Sequence, residues 1–84
     1  MRDTLRSPRQ QQLRALLLEL RRRKRLTQTK VAERLGKSQS FVAKYEGGER
    51  RLSIIEFIEV VRALEAEPAA VLRQLVEIID RPGR

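Results

Sequence analysis

A chain of 84 residues is long enough for one hydrophobic core and too short for two. It contains no cysteine and no histidine, which removes disulfides, soft metal ligands and any side chain that titrates near neutrality, so neither an enzyme nor a metal or cofactor site is expected. The net charge of +8 is the sum of two unlike parts: residues 1–52 hold 15 Lys or Arg against 5 acids, and residues 53–84 hold 4 against 6.

Residues 1–7, with Arg2 and Arg6, read as a basic tail ahead of a single domain over 8–80. Ser7 then supplies an N-cap and Pro8 a first-turn proline for helix one. Leu13, Leu16, Leu17 and Leu20 recur as i, i+3, i+4, i+7 and share one face of that helix. It is expected to run to about Arg25, with Arg22 to Arg25 placing positive charge at its C-terminal end. Thr27 caps a short helix two through Val31, Ala32 and Leu35, which Gly36 ends in a left-handed conformation. Ser38 caps helix three, which ends near Glu46 before Gly47 and Gly48. Ser53 and Glu56 form an S-x-x-E capping box for helix four, whose inward face is expected to be Ile54, Phe57, Val60 or Val61, and Leu64. Pro68 opens helix five, over 68–80, and residues 81–84 form a short tail. With 40% hydrophobic residues and only two Phe and one Tyr, the core must be mostly Leu, Val and Ile. The expected class is all-α.

Taking Gln28 as the first position of a 20-residue window, Val31 falls at four, Ala32 at five, Leu35 at eight, Gly36 at nine, Val42 at fifteen and Tyr45 at eighteen. Two short helices crossing at Ala32 need a small side chain there, and the turn between them needs a residue at ease with positive φ. The apolar positions fill the angle between the helices. On these residues, "LTQTKVAERLGKSQSFVAKYEGGERR" plus Arg21, the sequence resembles the phage repressor and Cro type of helix-turn-helix, the XRE family. The likeness covers about two thirds of the chain or more. It implies a five-helix lambda-repressor-like DNA-binding domain, with the helix-turn-helix at about 28–47.

The resemblance implies that helix three enters a major groove and that Gln39, Ser40 and Lys44 face base edges. The chemistry of those side chains suits base reading, since Gln39 can pair with adenine N6 and N7, Ser40 can donate or accept, and Lys44 can donate to guanine O6 or N7. Phe41 has two readings, half-buried beside Tyr45 or pressed on a thymine methyl. Gln28, Lys30, Lys37, Ser38, Arg50 and Arg51 are the phosphate-contact candidates, around a helix N-terminus that attracts anions. Lys30 stands where the family usually has an acid. The run "RRRKR" at 21–25 looks like a flat basic cluster, yet consecutive helical residues point about 100° apart. Arg21 matches the family position that pairs with the glutamate closing helix three, here Glu46.

Apolar residues on helices four and five exceed what one small core needs. Ile55, Ile58, Leu72, Leu75, Ile78 and Ile79 are therefore candidates for a dimer interface, the alternative being that they complete the monomer core. The function expected is sequence-specific binding of double-stranded DNA by a homodimeric transcriptional regulator, a repressor on a palindromic operator. Alternatives within the same description are a restriction-modification controller and an antitoxin bound to a protein toxin; RNA polymerase is a further candidate partner. An RNA-binding basic protein fits less well, because the A-form major groove is too narrow for a helix. No segment has the roughly 18 apolar residues that span a membrane, and no helix joins a basic face to Trp or Phe anchors, so membrane binding is not expected. The expected location is cytoplasmic.

Overall fold

A computed structural model describes residues 7–81, so the tail through Arg6 and the segment 82–84 lie outside the described residues. Each helix begins where a side chain can accept from an otherwise unpaired backbone N–H. Ser7 accepts from Gln10, Thr27 from Lys30, Ser38 from Phe41 and Ser53 from Glu56. These caps start α1 (Pro8–Arg23), α2 (Gln28–Leu35), α3 (Gln39–Gly47) and α4 (Ile54–Ala63); α5 (Pro68–Asp80) starts at the carboxylate of Glu67, which accepts from Ala70. The capping box at α4 is complete, since Glu56 also accepts from the Ser53 N–H at 2.9 Å.

The helix ends repeat one device. Gly36 and Gly48 sit at φ +67° and +84°, and the N–H of the next residue reaches back to Ala32 O or Lys44 O. The same backbone bonds close α1 and α4 without glycine, at Arg25 (φ +59°) and Glu65 (φ +62°). Helix one therefore stops at Arg23, two residues short of the expected end, because the chain turns left-handed at Arg25.

The core draws on all five helices: Leu16, Leu17 and Leu20 from α1, Val31 and Ala32 from α2, Val42 and Tyr45 from α3, Phe57, Val60, Val61, Ala63 and Leu64 from the α4 region, and Val71 from α5. Ala32 is buried where α2 and α3 pack closely, as a small residue at a helix crossing should be. Val60 and Val61 are both fully buried because α4 is covered by α2 on one flank and α5 on the other. Ile54 corrects the expected inward face: it is 61% exposed. Ile54 lines an open apolar groove with Leu13, Leu52, Leu72 and Leu75, and nothing among the described residues covers it there.

Candidate nucleic-acid interface

Helix α3 is sorted into two faces by the 100° step of an α-helix. Gln39, Ser40, Ala43, Lys44 and Gly47 fall within about 140° of arc, and all but the half-buried Ala43 are exposed. Val42 and Tyr45 face the other way and are buried. Ala43 was not singled out from the sequence, since alanine carries no polar signal; it sits mid-face between Gln39 and Lys44, where a small side chain keeps the helix surface low. Ser38 has its hydroxyl at the Phe41 N–H and 3.3 Å from the Ser40 hydroxyl.

Behind the exposed face, Arg21 and Glu46 are joined in a two-pronged pair, Nε to Oε2 at 2.7 Å and Nη2 to Oε1 at 3.0 Å. Both side chains are largely covered, and Arg21 Nη1 also donates to Leu26 O. One guanidinium thus ties α1, the turn before α2 and the end of α3. Glu46 Oε1 takes a further bond from Gln28 Nε2 at 2.8 Å, and Gln28 Oε1 takes one from Gln39 Nε2 at 2.5 Å. Gln28, expected at phosphate, and Gln39, expected at a base, are therefore side-chain partners 11 residues apart. Tyr45 lies against this network; burial pushes its hydroxyl pKa far up, with the Glu46 charge adding and Arg21 opposing.

Phe41 is half-buried, edge-on to Tyr45 with ring centroids 5.7 Å apart, and Arg50 lies 4.7 Å over its ring with Lys37 at 5.4 Å. Its flat surface carries cations, so the first of its two readings describes its packing. Arg50, expected in a loop beside phosphate, makes paired 3.0 Å bonds to both oxygens of Glu56 and fastens the α3–α4 loop to the start of α4. That hydrogen bonding, with the Ser53 N–H, lowers the Glu56 pKa to about 2. Lys30 is 3.5 Å from Glu33 on the exposed side of α2. Lys37, Lys44 and Arg51 are exposed.

The candidate dimer residues divide. Ile58, Leu75 and Ile78 pack partly against the protein's own core, and Ile79 is half-exposed. Ile55 is 61% and Leu72 43% exposed. Ile54, expected to face inward, and Val76 of α5 add to the exposed apolar surface. Among the described residues no group of three or more acids could hold a metal ion, and no helix is long and apolar enough to cross a membrane.

The model of a helix-turn-helix family matches residues 17–71, from the middle of α1 into α5. The chain is an XRE-family helix-turn-helix protein. A solved XRE-family like protein from Pseudomonas syringae pv. tomato is 44% identical, with 88% of each chain covered and a TM-score of 0.81. The restriction-modification controller protein C.AhdI from Aeromonas hydrophila is 33% identical over 69% of this chain and 84% of its own, with a TM-score of 0.63. The clp gene regulator ClgR from Corynebacterium glutamicum is 25% identical over 90% of this chain and 99% of its own, with a TM-score of 0.76. A search of the curated proteins gave no match. As a member of the XRE family, the protein is a DNA-binding transcriptional regulator on an all-α, five-helix fold, a family and fold of regulators rather than enzymes.

Proposed function

We propose that this XRE-family protein binds a specific double-stranded DNA operator as a homodimer and represses transcription by occupying a promoter. The observation that carries the reading is the outer face of α3. Gln39, Ser40 and Lys44 have the donors and acceptors to read bases, and the structure beneath them is tied down by Arg21, Glu46 and Gln28. Ala43 offers a methyl of the size that meets a thymine methyl. Around this face, Lys37 and Arg51, the backbone N–H groups and Ser38 at the start of α3, and the N-terminus of α2 with Gln28 and Lys30 supply sequence-independent attraction to phosphate. Arg50 contributes through the loop it holds, and Phe41 by supporting Arg50 and Lys37 from below.

Base reading and phosphate binding separate in a salt titration against specific and random duplexes. Gln39→Ala and Lys44→Ala lower the preference for the specific site by about 1–3 kcal/mol each and leave random-DNA affinity nearly intact. Lys37→Ala and Arg51→Ala weaken both duplexes alike and lower the salt slope by about one per contact. Equal losses on both duplexes for the Gln39 and Lys44 variants refute the assignment of α3. The likeness to a restriction-modification controller at 33% identity supports control of such an operon as the setting, and no observation on this chain favours a toxin partner.

A further inference from the structure

Hydrogen bonds in the chain Arg21, Glu46, Gln28, Gln39 all point towards Glu46, from Arg21 on one side and from Gln39 through Gln28 on the other, and that direction is set at the buried end. A carboxylate paired with Arg21 has no proton to give, so whatever meets Glu46 must donate. Gln28 can do so only through its amide nitrogen, which it turns to Glu46 Oε1 at 2.8 Å. Its carbonyl oxygen then faces Gln39, which in turn must present its own nitrogen. One Gln39 N–H is committed inward. The Gln39 oxygen, which accepts no bond among the described residues, and the second N–H are left for the outside.

We infer that Glu46, a residue with a nearly covered side chain, determines which base Gln39 accepts. A glutamine free in solvent turns its terminal amide by 180° at little cost, because that torsion is broad and two-fold. Turned one way it offers an acceptor and a donor, the match for adenine N6 and N7; with both N–H groups free it can instead point its nitrogen at guanine, whose O6 and N7 both accept. The tether from Glu46 through Gln28 holds one orientation. It thereby keeps the oxygen available for adenine and places it against guanine O6, where two acceptors repel. Glu46 acts as a positioning residue whose effect appears as base preference, in addition to its part in stability through Arg21.

This inference rests on the proposal that Gln39 reads a base, and the test separates the two. Bound duplexes are selected from a random pool by the unaltered protein and by Gln39→Ala, Glu46→Gln and Gln28→Leu, with a melting curve for each. Gln39→Ala should flatten one base-pair position, at which the unaltered protein selects adenine. Glu46→Gln lets the amides reverse, and Gln28→Leu cuts the tether while leaving Arg21 and Glu46 paired. Both should let guanine in at that same position, lowering the adenine-to-guanine ratio about 5-fold or more, with other positions unmoved. If Glu46→Gln fails to fold, Gln28→Leu decides alone. A position that keeps its adenine preference in the folded tether variants, with affinity reduced evenly for all sequences, overturns the inference while leaving Gln39 as the reader. So does guanine at that position in the unaltered protein. A Gln39→Ala protein that flattens no position overturns the reading of Gln39 and the inference together.

Discussion

Arg21 directs donors two ways, to both oxygens of Glu46 and to Leu26 O. Removing it leaves a carboxylate that is 7% exposed without its cation, and breaking one side of such a pair costs about 3 kcal/mol. Arg21→Ala should therefore lower the urea midpoint and weaken DNA binding together; an unchanged midpoint would show that water replaces the guanidinium. Arg21→Lys restores charge but not the fork, so it should recover only part of the loss. Glu56 gives a second residue-level expectation, with a pH window. Arg50 and the Ser53 N–H lower its pKa from 4.5 to about 2 in the folded chain. A depressed carboxylate stabilises the fold above its unfolded pKa, and that contribution fades as pH falls from about 4.5 towards 2. The stability gap between the protein and Glu56→Gln should hold near neutrality and close across that window in acid denaturation. A gap independent of pH would assign the loss to the capping box alone.

At the scale of the helix, most of the protein is legible in its sequence because the signals are local. The serine and threonine caps, Pro8 and Pro68, the leucine spacing of α1 and the S-x-x-E of α4 each act within one turn, and a resemblance at Gly36 and Ala32 orders the helices. What is not legible depends on partners distant in the chain. Nothing local shows that Gln28 takes the amide of Gln39, that Arg50 lies on Phe41, or that Ile54 is left exposed. The endings of α1 and α4 are hidden for another reason: Arg25 and Glu65 adopt a conformation for which neither residue type has a preference. Holding a non-glycine residue left-handed costs about 1 kcal/mol. Arg25 is exposed, so Arg25→Gly should relieve the strain, offset in part by the greater freedom glycine brings to the unfolded chain. A net gain of about 0.5 kcal/mol, read as a rise in melting temperature, is expected; a fall would show that the arginine side chain contributes more than its backbone costs.

Across the whole molecule, the division of charge and the division of apolar surface coincide. Residues 1–52 carry 15 cations against 5 acids and include the reading helix, whereas residues 53–84, with 4 against 6, include α4 and α5 and their exposed Ile54, Ile55, Leu72 and Val76. Two copies meeting through α4 and α5 would join near-neutral surfaces and leave the cationic parts for DNA, which is the arrangement a two-fold dimer needs to set two reading helices about 34 Å apart. Leu72 and Val76 are 43% and 48% exposed, so the monomer can carry a charge at either position with little loss of its own core. A dimer cannot, because a carboxylate buried there without a partner costs about 2–3 kcal/mol or more. Leu72→Glu and Val76→Glu should keep the melting behaviour of a folded monomer, weaken self-association by about 100-fold, and replace cooperative operator binding with weak binding to single half-sites. Sedimentation at micromolar concentration checks the first step: a species of twice 9.8 kDa for the unaltered chain and of 9.8 kDa for the variants. A 9.8 kDa species for both would leave the exposed apolar surface of α4 and α5 unrelated to self-association and would remove the palindromic operator from the proposed function.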